Sequence, residues 1–435
     1  MFKRKNSQTA GEQTEKPPNK RKFWVVTELY YPEDNQTGYY LTRIAEGLAE
    51  NFDVKVICGQ PNYAARGTKA AKRETRQGVE IFRVSGTTLD KDVLPLRLIN
   101  MLTLGISMFI QSVRKISRGE AVLVVSAPPS LPFGTALAAK IRRAGYSVIL
   151  QDKYPEILIA VGKAQPQSLF CRALNRLNTR LYDAADKIVV VGRDMKELTA
   201  SQMSSESDGR DKIAVIQNWA ALEEVEPLPK SENPLLKELG LLDKFVFLYA
   251  GNMGHPQDLE SIIECAEKLK DDNRFHFLFI GSGVKRKWLE RAVGEKKLAN
   301  VTVIAPRHRS QQKIFLNACD VGLVPLVSRM YGVAMPSRTY NFLAAGKPIL
   351  ALTEAGSEIA QVIEEDRVGW FVPPHDAESL RRMIDKIYAE RDKIPAMSQR
   401  ARQSALEKYS VEAAIDKFNK VFARRNASDK EGRRV

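Results

Sequence analysis

The residues best suited to chemistry lie between positions 331 and 352, in YGVAMPSRTYNFLAAGKPILAL. A glycine loop at Gly332 passes through Pro336-Ser337 into a short apolar stretch, which stops at Gly346 before the apolar run 349–352. Serine at a helix start, followed by Arg338, would bring free backbone N–H groups, a positive dipole end and a guanidinium to one spot. Such a spot holds a phosphate or diphosphate without a motif lysine. The same spacing also fits an ordinary strand–loop–helix–strand unit whose proline and glycine are only punctuation.

Other chemistries find less support. Gly281-Ser282-Gly283 follows a predicted strand and opens a helix, as a dinucleotide-binding turn does, but Arg286 stands where a third glycine is needed. The next strand end reads Ala305-Pro306-Arg307 and lacks the acidic residue that would hold a ribose. No GxxxxGK[ST] loop occurs, which excludes an ATPase of that type. Asp90-Lys91-Asp92 has the form of a metal-binding DxD but lies outside any strand end, and is read as a solvated turn. Cys58, Cys171, Cys265 and Cys319 stand singly, and no histidine pairs with them at metal-ligand spacing. No metal, zinc or disulfide is expected, and a reduced cytosolic compartment fits.

These candidates need a scaffold, and 435 residues suit two compact units. The net charge of +15 suits an acidic partner, whether nucleic acid, anionic lipid or a polyphosphate substrate, and equally a solubilising surface. Residues 1–22 are polar, basic and proline-containing, so they are expected to be a disordered tail rather than a signal peptide. No run reaches the roughly 18 apolar residues of a spanning helix.

Short apolar runs at 23–27, 54–58, 79–85, 122–126 and 147–152, and within 183–192 and 212–220, read as strands of a first sheet. Between the first two, a loop ends in Thr37-Gly38, and Leu41, Ile44, Ala45 and Leu48 then recur at helical spacing. Asp152 falls at the carboxyl end of its strand, where open α/β sheets bind ligands, or else caps the next helix. Residues 93–115 are the most apolar segment of this half and close on Arg114, Lys115 and Arg118. Such a helix either packs in the core or lies in a bilayer interface against anionic headgroups. An acidic, prolyl stretch at 221–244 reads as a linker. A second series follows, with strands at 245–249, 275–280, 301–305, 321–325 and 349–352 and helices at 258–269 and 312–318. After Ser357 helical patterns dominate, ending in an amphipathic helix marked by Ala414, Ile415, Phe418, Val421 and Phe422. The expected class is α/β, with Rossmann-like doubly wound domains at 23–220 and 245–408 facing a cleft, a helix at 409–425 and a tail at 426–435.

PSRTYNFLAAGKPI resembles the donor-binding signature of family 4 glycosyltransferases, P-S-K-x-Y-E/N-x-L-A-x-G-x-P, and bacterial enzymes building capsule, O-antigen or exopolysaccharide units look most similar. Landmarks in the family's order run from 23 to about 424. The resemblance implies a GT-B fold whose last helix crosses back to the first domain. It also implies retaining, hexosyltransferase-type transfer from a nucleotide-diphosphate sugar, expected to be UDP-linked, to a lipid-linked acceptor at the cytosolic membrane face. No metal is needed if helix N-termini and cations neutralise the diphosphate.

Carried over residue by residue, the resemblance makes Gly38 a backbone contact to the donor, although Tyr39 replaces a frequent second glycine. In AGNMG, Gly251 and Gly254 let the donor phosphates approach, and Asn252 and Gln257 stand where the family has Arg and Lys. That departure shifts the cationic role to Arg338 and Arg307, with Gly332 and Ser337 beside them. The family's two glutamates, eight positions apart, are here Val333 and Asn341. Asn341 is left to contact a ribose hydroxyl, and Glu358 is the nearest carboxylate able to take over a ribose or sugar. Asp152 is the acceptor-side polar residue. With no carboxylate pair, the expected route is front-face, the departing phosphate oxygen taking the acceptor proton. The basic first domain and 93–118 are expected to meet the membrane. Two rival readings stay open: a nucleotide-sugar epimerase on the same fold, and a non-catalytic basic protein binding nucleic acid or membrane. The nucleic-acid rival lacks any RNP, KH or zinc-finger pattern.

Overall fold

The computed structural model describes residues 20–33, 35–61, 69–89 and 94–423, so the DxD at 90–92 lies outside the described residues. The first sheet contains β1 (Lys22–Thr27), β2 (Asp53–Cys58), β3 (Arg73–Arg76), β4 (Val79–Arg83), β5 (Ala121–Val125), β6 (Gly145–Leu150), β7 (Ile188–Val190) and β8 (Ile213–Val215). Their order is β3-β4-β2-β1-β5-β6-β7-β8, and only β3 runs antiparallel to its neighbour. β5, AVLVV, is buried at every position, as a strand covered on both faces must be. β1 begins at Lys22, and Lys20 donates to the Ala49 carbonyl, so residues 20–22 belong to the fold rather than to the expected tail.

Strand order reverses at β1, and the crossovers follow from that. α1 (Gln36–Leu48) leads to β2, whereas α2 (Leu94–Lys115), α3 (Leu131–Arg142), α4 (Glu156–Ala160) and α5 (Leu169–Ala184) serve β5, β6 and β7 on the other side. Right-handed crossovers therefore put α2, α3 and α5 side by side on one face, and α3 packs between the other two. α6 (Arg193–Ser201) and α7 (Glu206–Lys212) complete the domain.

Residues 221–244, expected as a linker, contain a packed element of their own. They include α8 (Pro234–Glu238), whose cap Asn233 has no exposure and accepts from the Leu235 and Leu236 N–H groups. The second sheet contains β9 (Phe245–Ala250), β10 (Phe275–Ile280), β11 (Val301–Ile304), β12 (Val321–Pro325), β13 (Ile349–Leu352) and β14 (Gly369–Val372). Its order, β11-β10-β9-β12-β13-β14, is parallel throughout and doubly wound, with a switch point between β9 and β12. After Ser357, where helical patterns were expected to dominate, β14 is a strand among the helices.

Helices α9 (Leu259–Lys268), α10 (Arg286–Glu295), α11 (Gln312–Leu316), α12 (Arg338–Ala344), α13 (Glu358–Asp366) and α14 (Ala377–Ala389) join these strands, and α15 (Ile394–Glu407) packs on α12. The placement of α12 depends on one small residue. A Cβ at Gly322 on β12 would lie 2.5 Å from the Phe342 ring, so only glycine lets this ring seat fully buried on the sheet. Burying it stabilises α12 by roughly 2–3 kcal/mol and fixes where Arg338 begins. α16 (Val411–Ala423) then leaves the second domain and packs on α1, its Phe422 ring 5.1 Å from Phe23, as expected of the returning helix. Among the described residues no helix is long and apolar enough to cross a membrane.

Candidate active site

The carboxyl ends of the two sheets meet across a cleft. Past β6, Asp152 forms an isolated antiparallel bridge with Ala334, and the Lys153 N–H donates to the Val333 carbonyl at 3.0 Å. Past β7, Arg193 and Asp194 meet the loop after β12 and the start of α13.

On the second-domain side the loops after β9 and β10 lie directly on one another. A Cβ at Gly281 would fall 1.9 Å from the Gly251 carbonyl oxygen, and both glycines hold positive φ, +155° and +138°. This close stacking, rather than an open dinucleotide turn, accounts for the GSG run. The Gly254 N–H donates to Gln257 Oε1 at 2.8 Å. The Tyr249 hydroxyl donates to the Asn252 carbonyl and fixes the loop from below.

Arg338 lies over this loop. Its guanidinium is 4.3 Å from the Tyr249 ring centroid, its Nη2 donates to the Asn252 carbonyl at a long 3.4 Å, and a Cβ on Gly251 would be 3.3 Å from Nη2. Nη1 is buried and has no hydrogen-bond partner. The next three residues repeat the pattern, since Thr339 Oγ1, Tyr340 OH and Asn341 Oδ1 are also buried and unpaired. Orphaned polar atoms are rare in folded proteins, and four in succession call for an explanation. The helix tip differs from expectation. The Ser337 side chain makes no capping bond, and the Thr339 and Tyr340 N–H groups turn back to the Pro336 and Ser337 carbonyls at 3.1 and 3.2 Å. Fewer N–H groups are therefore free there than the sequence implied.

Three expected donor contacts are otherwise engaged. Gly38 lies in the first turn of α1, not in a loop, and its N–H donates to the cap Asn35 Oδ1 at 2.8 Å. The Gly332 N–H donates to Asp194 Oδ2 at 3.0 Å, and a Cβ there would sit 2.8 Å from the Asp194 carbonyl oxygen. Glu358 is 1% exposed, and its carboxylate accepts from Arg193 N–H at 2.7 Å and Nε at 2.9 Å and from Gln217 at 3.3 Å. Gly332 and Glu358 thus join the domains instead of facing a sugar. Burial pushes the Asp194 carboxyl above its ordinary range, against the pull of its backbone donors.

On the first-domain side, Asp152 is half-buried, and burial raises its carboxyl to about 6. It does not cap α4, whose N-cap is Pro155. Beside it Lys153 is 1% exposed, donates to Thr199 Oγ1 at 3.1 Å and lies 4.9 Å from the Tyr182 ring, its ammonium lowered to about 8 by burial. Tyr40 is fully buried. Its hydroxyl donates to the Trp219 carbonyl at 2.9 Å and accepts from Gln36, and burial raises it against the pull of Gln36 and Ser337 across the cleft.

Arg307 stays exposed past β11, whereas Arg309, which the sequence did not single out, lies 3.9 Å from the Tyr39 ring and donates to Glu224. Tyr249, Lys153, Arg193 and Asp194 were also missed. The apolar runs ending at Ala250 and Val191 marked the ligand-binding ends of their strands, but not which side chains meet there. All four cysteines are buried and free. The described residues contain no cluster of three or more metal-ligating side chains.

Comparison with known proteins finds glycosyltransferases. Residues 233–404 match the family Glycosyl transferases group 1. The chain is 29% identical over 397 residues to the probable glycosyltransferase WbjE of Pseudomonas aeruginosa, covering 91% of this chain and 96% of that protein. It is 23% identical over 375 residues to WcaI of Escherichia coli strain K12, a glycosyl transferase assigned by name to colanic acid biosynthesis, covering 82% and 90% of the two chains. Among solved structures, Anabaena HepE in complex with UDP-glucose superposes with a TM-score of 0.67 at 13% identity, over 92% of this chain and 99% of that one. Two parallel sheets and these neighbours make the fold GT-B, as expected.

Proposed function

We propose that this chain, which carries a Glycosyl transferases group 1 domain at residues 233–404, transfers a sugar from a nucleotide-diphosphate donor during polysaccharide biosynthesis. The observation that carries the reading is Arg338 Nη1, buried and unpaired above the glycine loop after β9. A diphosphate oxygen at that point would supply the missing acceptor and bring charge-assisted bonding in a water-poor site. The Gly251 and Asn252 backbone would flank the same phosphates, with Asn341 and Ser337 nearby and Arg307 at the rim. UDP is the expected nucleotide, in line with the UDP-glucose complex of HepE.

In this reading the glycosidic C–O bond breaks as Arg338 takes up the charge of the leaving diphosphate. The departing phosphate oxygen accepts the proton of the incoming hydroxyl, which bonds to the same face of the sugar, and configuration is retained. Asp152, at the junction of the domains, orients that hydroxyl from the acceptor side. No step draws on a metal. The acceptor is expected to be lipid-linked and met at the cytosolic membrane face, which suits the net charge of +15.

A panel of UDP-, GDP- and dTDP-sugars tested against thermal unfolding addresses this reading. The true donor stabilises the fold by mass action, about 2.7 kcal/mol at a hundred times its dissociation constant. A panel in which no nucleotide-sugar shifts the melting temperature would overturn it.

A further inference from the structure

The described residues expose fifteen large hydrophobic side chains, and nine of them stand on α2, α3 and α5: Ile99, Leu102, Ile106, Ile110, Leu137, Ile141, Leu169, Phe170 and Leu177. These helices lie side by side on one face of the first sheet. Leu102, Ile106 and Ile110 recur every four residues on α2, opposite the buried Asn100, Met108 and Ser112. Leu137 and Ile141 continue the surface on α3. Leu102, at 59%, and Leu169, at 78%, are far more exposed than scattered surface apolar residues need explain. The helix expected either to pack in the core or to lie in a bilayer interface packs one side against the domain and leaves the other exposed.

Charge identifies the occupant. Residues 94–118 and 131–143 contain no Asp or Glu, and α5 contains only Asp183. Basic residues frame the apolar surface: Arg114 and Lys115 in the last turn of α2 and Arg118 beyond it, Lys140 and Arg143 at the end of α3, and Arg172, Arg176 and Arg180 along α5, all exposed. A second copy docking through the same face would set like charges against one another. An anionic bilayer complements both features, since apolar side chains enter the headgroup boundary while guanidinium and ammonium groups meet the phosphates.

We propose that the outer face of α2, α3 and α5 is a docking surface for an anionic lipid bilayer. It extends well beyond the single segment at 93–118, and it stands independently of the donor chemistry.

Co-sedimentation with vesicles of phosphatidylcholine alone, and of phosphatidylcholine mixed with phosphatidylglycerol, tests it. The wild-type chain should bind the mixed vesicles, leave them at high salt, and ignore the neutral ones. L102Q/I106Q and, separately, R172E/R176E/R180E should each weaken binding by about tenfold or more. Circular dichroism and the melting temperature should stay as in the wild type, and so should any stabilisation by a nucleotide-sugar. Wild-type protein left in the supernatant with the mixed vesicles would overturn the proposal, as would variants that bind as well as wild type. Concentration-dependent dimers lost in L102Q/I106Q, without vesicle binding, would assign the face to a second copy instead.

Discussion

Arg193 and Glu358, the first residues of helices in different domains, close on each other at 2.9 Å with the carboxylate 1% exposed. The Glu358 and Gly332 N–H groups meet Asp194 Oδ2 beside them, so one short segment of α6 holds two loops of the second domain. Arg193→Met would leave a buried carboxylate short of its partner, whereas Glu358→Gln keeps the shape and removes the charge. The first should destabilise by about 2–3 kcal/mol, below the range for fully buried pairs because Arg193 is partly exposed, and the second by less. Urea unfolding of both singles and the double should give a coupling above roughly 1 kcal/mol, and strictly additive effects would remove the pair from the interface.

Asp152 should shape the acidic limb of activity. Its carboxyl is raised to about 6, so it is neutral below that pH and ionised above it. If the ionised form orients the acceptor, kcat/KM rises as pH passes through 6, and Asp152→Asn flattens that limb while lowering the plateau. Stability moves the other way. The raised value favours the fold below the ordinary 3.8, and this is lost as pH rises through about 6. A variant with an unchanged acidic limb would remove Asp152 from the acceptor side.

Lys153 carries the opposite linkage. Its ammonium is lowered from 10.5 to about 8, so burial penalises the protonated form by roughly 3 kcal/mol at neutral pH. The wild type should gain stability between pH 8 and 10.5 as the proton leaves. Lys153→Met should lack that gain and unfold no more easily at pH 7. Parallel pH–stability curves for the two proteins would contradict this.

Gly281→Ala should disable the donor loop. The added Cβ would meet the Gly251 carbonyl at 1.9 Å in backbone that L side chains avoid, so the loops must separate, with a loss of about 2 kcal/mol or more. Nucleotide-sugar stabilisation should disappear even where the variant remains folded. Retained stabilisation would mean that the β9–β10 contact does not support the donor.

Most of the fold was legible because buried parallel strands leave continuous apolar runs, and β5, β9 and β10 are buried at every position. The edge strands β3 and β14 leave no such trace. β3 reads Arg-Glu-Thr-Arg and is held by neighbours such as Glu80, and β14 opens on Gly-Trp. Arg338 was singled out by its place at a helix start, although its contact with Asn252 spans 86 residues and no local turn encodes it. Gly332 and Glu358 were misread because their partners lie 138 and 165 residues away on another sheet, and no local spacing encodes that. α2 was ambiguous for a related reason: an all-round apolar helix reads the same whether its outer side meets protein or lipid.

The central claim is that Arg338 grips the leaving diphosphate. Its most direct measurement is kcat/KM of Arg338→Ala with the nucleotide-sugar that best stabilises the wild type, taken alongside the melting temperature. Loss of one preorganised cation should lower kcat/KM by about 10²–10³-fold while the ligand-free melting temperature holds. Undiminished turnover in a folded Arg338→Ala protein would contradict the account.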